Sequence, residues 1–334
     1  MSAAPACLSP RVLVHIGYHK TGTTWFQGAL FARPELGFVP WTAPRGAVHA
    51  LFGRPGPYDD GPIDLARDLV AQAEAATGAG KVFVVSHERL SGYPASGGHD
   101  ARRIADRLKT YLPNARVLCL FRRQDRMIHS VWRQQIVDGG DRSLARFLTP
   151  PEPGIARVPM FDPGMYRYTG ACRYYRALFG AAQTRFVPYE RFTQDPRAVL
   201  TDLAALVELP TLAAEADRIV AAMTRPNPSL SPSILRLFRL VNHWGVRTQL
   251  SPSAVVDLGA ANVRGVMRRL SAVLGPTLLA PIDRWLDRRE AATIARFCAG
   301  RYDTDNAELG RLLGLPLAPL GYAVADHLDT RPHG

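Results

Sequence analysis

RVLVHIGYHKTGTTW, residues 11–25, is the stretch on which the reading of this chain turns. Arg11 to Ile16 is a short apolar run rich in β-branched residues, the pattern of a strand buried on both faces. Gly17 ends it, and a helical pattern follows from about Thr23 to Phe31. Strand, glycine-bearing turn and helix together present backbone N–H groups and a positive helix end to an anion. Gly22 lets the backbone approach that anion closely, and the hydroxyls of Thr21, Thr23 and Thr24 add donors. Lys20 supplies a mobile full charge. It is one of three lysines, with Lys81 and Lys109, among 41 basic residues, so an unselective basic position here would be arginine. A compact ammonium suits a single bridging or transferring oxygen better than a planar fork does. The kinase phosphate loop is GxxxxGK[ST]. Gly17 and Gly22 have that spacing, but Thr23 holds the lysine place and Lys20 precedes Gly22, so this is not a Walker A loop.

Three more apolar runs extend the pattern: Lys81–Val85, ending at Ser86-His87-Glu88; Ala115–Phe121, followed by an amphipathic helix from about Gln124 to Val137; and Thr184–Tyr189, with a helix opening near Asp195-Pro196. Strands alternating with helices predict βαβ units in an α/β, mostly parallel sheet covered on both faces. Pro/Gly-rich links at 40–62, 91–98 and 149–164 are the natural rim of an acceptor site, because ligands bind beyond strand C-termini in such sheets. After about residue 210 the strand pattern gives way to helical stretches at 229–243, 253–270, 281–297 and 303–313, with Pro226-Asn-Pro228 as a plausible break. We therefore expect one domain over 1–334, with a nucleotide-binding core at 11–210 and a helical part at 229–313 completing the site.

Composition bounds the rest. A chain of 334 residues, 47% hydrophobic and 21% charged, is an ordinary globular sequence. The net charge of +12 invites an anionic partner, although the preponderance of arginine also fits a GC-rich coding bias. No basic stripe interleaved with aromatics suggests nucleic acid. Cys7, Cys119, Cys172 and Cys298 are far apart and form neither a zinc pattern nor a disulfide framework. No secretory leader or bilayer-spanning run is visible, so a soluble cytoplasmic protein without stable membrane insertion is expected. Oligomeric state leaves no mark in the sequence.

His19-Lys20-Thr21-Gly22-Thr23-Thr24-Trp25 resembles the 5′-phosphosulfate loop of the sulfotransferases that use 3′-phosphoadenosine-5′-phosphosulfate (PAPS), whose pattern is close to PK[ST]GTTW. The resemblance, of the bacterial and carbohydrate or Golgi-like type, implies a P-loop-like three-layer fold. It implies that Lys20 contacts the phosphosulfate bridge, that Thr21, Gly22, Thr23 and Thr24 bind the 5′-phosphate, and that Trp25 stacks on the adenine. His19 stands where the family often has proline. The family's 3′-phosphate motif puts an arginine just after a strand and a serine eight positions on, which carries to Arg122 and Ser130, with Arg123 and Arg126 second to them. Gln124 replaces a frequent proline. Tyr189-Glu190 resembles a pair near the adenine, giving Tyr189. Arg301-Tyr-Asp-Thr-Asp-Asn306 looks like a segment closing over the nucleotide, giving Arg301 as the candidate cap.

Sulfuryl transfer asks the protein for alignment, charge neutralisation and removal of the acceptor proton. Lys20 is placed to stabilise the leaving bridge oxygen. Ser86-His87-Glu88 lies on the same sheet edge in a parallel sheet. Glu88 is the first candidate base, because carbohydrate-type members commonly carry a glutamate after this strand, and His87 is the second. His129, beside Ser130, is expected to orient or pack. No metal is implied. The resulting expectation is transfer from PAPS to a hydroxyl or amine of a carbohydrate, lipid-linked sugar or secondary metabolite. The alternatives are a non-catalytic nucleotide- or anionic-glycan-binding protein and a P-loop kinase.

Overall fold

The computed structural model describes residues 11–53, 59, 61–150, 161–223, 230–248, 250–251, 254–275 and 278–325. The chain opens with strand β1 (Val12–His15), then helix α1 (Thr23–Trp25), which continues as a π-helical stretch Phe26–Phe31. Strand β2 (Phe38–Pro40), helix α2 (Ile63–Gly78), strand β3 (Val82–Ser86) and helix α3 (Ala101–Tyr111) follow. Strand β4 (Arg116–Phe121) leads into α4 (Gln124–Val137), α5 (Leu144–Leu148) and α6 (Tyr168–Phe179). Strand β5 (Thr184–Pro188) is followed by α7 (Tyr189–Gln194), α8 (Pro196–Val207), α9 (Pro210–Ala214) and α10 (Ala216–Ala221). The helical remainder is α11 (Pro232–Gly245), α12 (Ala260–Leu274), α13 (Ala280–Cys298) and α14 (Asp303–Leu313).

The five strands form one parallel sheet in the order β2-β3-β1-β4-β5. Alternate residues of each strand enter opposite cores. Val12, Val14, Val117 and Cys119 join the cluster under α3, α4 and α6, while Leu13, Val82, Leu118 and Val187 join the one under α8. A sheet covered on both faces explains the continuous apolar runs in the sequence. The chain leaves β1 toward β2 on one side and reaches β4 on the other, so the crevice where connections diverge opens at the C-terminal ends of β1 and β4. His15, at the end of β1, is level with Ser86 on β3 and Leu118 on β4.

The sequence expectations meet two adjustments. β2 is an additional edge strand of three residues, bounded by Gly37 at φ 91° and by Pro40. The helix expected from residue 253 starts at Ala260: the Val255 and Val256 amides donate instead to the Trp244 carbonyl, and Gly259 takes φ 78°. Pro226-Asn-Pro228, most of the 149–164 link and Cys7 lie outside the described residues. Cys119, Cys172 and Cys298 are free thiols. Among the described residues no helix is long and apolar enough to cross a membrane.

Candidate functional site

Beyond β1 the chain stays beside β4, with the Ile16 amide donating to the Leu118 carbonyl and the Tyr18 amide to that of Leu120, both at 2.9 Å. The loop then turns out over the sheet end. Lys20 adopts φ 64°, a left-handed conformation that costs a side-chain-bearing residue about 1 kcal/mol or more. Gly22 is forced twice: it lies at φ 83°, and an added Cβ would sit 3.2 Å from Cε2 of Tyr189. The Gly22 carbonyl accepts from the Trp25 and Phe26 amides, so Gly22 starts the helix. The amides of Thr23 and Thr24 in that first turn have no carbonyl before them to bond.

Beneath the loop the Thr21 hydroxyl donates to the Tyr18 carbonyl at 2.5 Å. The Thr23 hydroxyl is buried with no hydrogen-bond partner, and so is Nε2 of His15. Both, with the Thr21 hydroxyl, would lie 3.0 to 3.2 Å from a Cβ placed on Gly17. His15 Nδ1 is 2.8 Å from the Ser86 hydroxyl, which also receives the Gln27 amide at 3.3 Å. Complete burial lowers the His15 pKa to about 3, so the ring is neutral. This network ties the floor of the phosphate loop to the end of β3.

The second group forms around Arg122 at the end of β4. Its Nη1 donates to the Lys20 carbonyl at 3.4 Å, its guanidinium lies 5.2 Å from the centre of the Tyr189 ring, and its buried Nε has no partner. Arg122, Tyr189 and Gly22 thus meet. Phe192, buried beneath, packs against this surface, its ring 5.3 Å from Trp25 and 6.3 Å from Tyr189. Nothing local in the sequence distinguished Phe192 from a packing residue. Ser130 is half-buried on α4, two turns past Arg122. Arg123 is engaged by Asp125 through paired bonds of 3.1 and 2.8 Å, and Arg126 lies 3.8 Å from the same carboxylate. Asp125 thus answers Arg123 directly and Arg126 only loosely, while Arg122 has no carboxylate partner among the described residues.

At the end of β3, His87 caps the turn beginning at Glu88: its Nδ1 accepts the Arg89 amide at 3.0 Å. Burial lowers the His87 pKa. Burial would raise that of Glu88, but His87, its own backbone amide, His19 and Arg89 together hold it below the usual carboxylate range. His19 proves to be more than a substitute for proline. It is largely buried between Glu88 and Arg89, its Nδ1 has no partner, and burial lowers its pKa to about 4. Lys20 is open to solvent, yet the protein mass around it lowers its ammonium pKa, with Asp138 and Glu88 pulling the other way and Arg268 adding to the fall. Asp138, at the end of α4, is an acidic neighbour that the sequence pattern did not single out. One cleft beside these groups is lined by His19, Arg89, Tyr93, Gln134, Asp138 and Arg142. Another, across β3, is lined by Gln27, Trp41, Arg45, His49 and His87.

The C-terminal segment reaches this region by its last turn. Gln124 is buried at the start of α4, donating to Asn306 Oδ1 at 2.7 Å, and Asn306 in turn donates to the Ala323 carbonyl at 2.8 Å. The Tyr322 hydroxyl donates to Glu190 at 2.8 Å, and the other Glu190 oxygen accepts the Arg123 amide. Arg301, in the turn between α13 and α14, folds back on α13, bonded to the Phe297 carbonyl at 3.1 Å and stacked 4.3 Å from that ring. His129 faces away from the loop and joins Arg133, Asp287 and Glu290 in an ion-pair cluster between α4 and α13. His129, Asp287 and Glu290 lie within metal-ligating reach of one another, but the Arg133 guanidinium already supplies the positive charge.

No protein-family model matches this chain. No curated protein matches it either. Among solved structures it is similar to a sulfotransferase from Alicyclobacillus acidocaldarius, at 19% identity over 78% of this chain and 99% of the other, with a TM-score of 0.40. It is also similar to the mouse sulfotransferase SULT7A1 complexed with PAP, at 12% identity over 84% of this chain and 89% of the other, with a TM-score of 0.33.

Proposed function

We propose that this protein is a PAPS-dependent sulfotransferase acting on a hydroxyl or amine of a carbohydrate or secondary-metabolite acceptor. The observation that carries the reading is the convergence of Arg122, Tyr189 and the loop at Lys20–Gly22, which sets an unpaired guanidinium beside an anion-binding turn. The donor chemistry fits the nucleotide: the loop amides, the partnerless Thr23 hydroxyl and the partnerless Arg122 Nε are groups that a phosphorylated ligand would satisfy.

In this reading Thr21, Gly22, Thr23 and Thr24 hold the 5′-phosphate, and Arg122 with Ser130 holds the 3′-phosphate. Trp25 and Tyr189, backed by the buried Phe192, offer the adenine an aromatic bed. Arg301 would have to leave Phe297 to contribute a cap. The cofactor, when bound, supplies an activated sulfuryl group. Lys20 neutralises charge developing on the bridge oxygen, and its lowered pKa eases proton donation there. Glu88, ionised at neutral pH, takes the acceptor proton. The two clefts flanking His87 and His19 combine aromatic and charged walls of the sort that recognise sugars and other polyols.

Calorimetry tests the reading directly. Adenosine 3′,5′-bisphosphate should bind without magnesium and far more tightly than ATP with magnesium; the reverse preference would point to a kinase. Tight binding without transfer across a broad hydroxyl and amine panel would reduce the protein to a binding module.

A further inference from the structure

The helices α11, α12 and α13 carry an unusual outer surface. On α11, Leu237, Leu240 and Trp244 follow at helical spacing on the side away from the buried Ile234, Leu235 and Phe238. On α12, Val266 and Val273 are exposed while Val263 and Met267 are buried. On α13, Ile282 and Trp285 are exposed while Leu286 and Ile294 are buried. Trp244 and Trp285 are 62% and 55% exposed, a costly arrangement for the largest side chain. α11 packs against both α12 and α13, and the Trp244 carbonyl accepts from Val255 and Val256, so these rows share one region of the molecule.

Charge separates the possible occupants. Arg269 stands between Val266 and Val273, and Arg289 stacks 5.4 Å from the Trp285 ring; both are exposed, as is Arg236 one turn before Leu240, which also lies 3.9 Å from Glu290. The acids of these helices are turned inward or paired: Asp283 is buried on Ser231 and Ser233, Glu290 on His129 and Arg133, and Asp287 pairs with Arg133. A second copy meeting this face about a two-fold axis would set mostly arginine against arginine, with Asp257, beside Val256 and Leu258, the exposed carboxylate nearby. An anionic bilayer surface answers both halves at once, taking tryptophan and aliphatic side chains at the headgroup boundary and arginine at its phosphates.

We propose that the outer face of α11–α13 docks this protein peripherally on an anionic membrane surface. The docking involves no spanning segment and stands independently of the chemistry at Lys20.

The test uses the full chain and co-sedimentation with vesicles of phosphatidylcholine alone or containing about a quarter phosphatidylglycerol. The expected result is at least about tenfold stronger partition onto the anionic vesicles, falling with added salt. Trp244→Glu with Trp285→Glu should lower that partition by about tenfold or more while the far-UV spectrum and thermal midpoint hold. Should that variant unfold, Arg269→Glu with Arg289→Glu keeps the exposed tryptophan and aliphatic side chains and should lose partition equally. Equal binding to both vesicle types, no binding, or binding indifferent to the substitutions would overturn the proposal. So would a concentration-dependent dimer in light scattering that the tryptophan substitutions dissolve, since it would give the face to a second copy.

Discussion

Nδ1 of His87 accepts the amide of Arg89 at 3.0 Å, which commits the neutral ring to carrying its proton on Nε2. A histidine in that tautomer offers a donor, with no lone pair for an acceptor proton. Glu88, next in the chain and held below the usual carboxylate range, is the base in the proposed transfer. Glu88→Gln should lower kcat by about 10²- to 10⁴-fold. His87→Asn, whose side chain can take over the cap, should keep most of it. Initial rates on any acceptor that turns over decide the order, and a larger loss for His87→Asn would reverse the assignment.

Lys20 combines a strained backbone with the proposed transfer charge, and the two are separable. Lys20→Ala keeps the strain and loses the ammonium; Lys20→Gly loses both. Each should cut kcat by about 10²-fold or more, as removal of a preorganised charge does. Only Lys20→Gly should raise unfolding stability, by about 1 kcal/mol. Undiminished turnover at saturating cofactor in either variant would sink the role.

Arg122 is the test of the second phosphate. Arg122→Ala should weaken adenosine 3′,5′-bisphosphate by about 10- to 150-fold, the worth of a charge-assisted contact of about 1.5–3 kcal/mol. Adenosine 5′-monophosphate should be nearly indifferent. Equal losses in calorimetry would remove the 3′-phosphate from Arg122.

His15 makes a prediction about acid. Its pKa falls from 6.5 unfolded to about 3 folded, so on acidification the unfolded chain takes up a proton that the folded chain refuses. Stability should therefore drop as pH falls from 6.5 toward 3, by about 1.4 kcal/mol per pH unit from this residue. His19, at about 4, adds to the slope over the upper part of that window. His15→Gln should flatten the urea midpoint profile between pH 7 and pH 5; an unchanged slope would assign the acid sensitivity elsewhere.

Gln124 occupies the first turn of α4, where proline is tolerated. Gln124→Pro should leave α4 intact but cost about 1–3 kcal/mol, because Asn306 then loses its buried partner. Amide exchange should quicken around 303–325 and not within 124–137. The opposite pattern would show that proline damages α4 itself.

Much of this was legible. β1, β3, β4 and β5 announced themselves as β-branched apolar runs because both faces of the sheet are buried, and the turn at Gly22 was marked by glycine where φ requires it. The parallel arrangement puts Lys20 and Glu88 at one sheet edge, as the alternation of strands and helices implied. β2 was illegible, three residues between Gly37 and Pro40 giving no period to detect. The surroundings of His19, Asp138 and Phe192 depend on contacts between distant segments. The pairing of Gln124 with Asn306 spans 182 positions, for which no local pattern exists.

That pairing has a consequence for how the molecule comes into being. The Arg122 turn is braced, through Gln124, by Asn306 and, through Glu190, by Tyr322, so it acquires its final shape only when the C-terminal helices have docked. Closing loops of this length is entropically slow and belongs to the late steps of folding. On the ribosome, the phosphate loop would be synthesised well before the residues that steady its neighbour. A nascent or C-terminally nicked chain would keep the sheet while the Arg122 turn lost its brace, and, under the proposed function, would lose discrimination between nucleotides with and without a ribose phosphate.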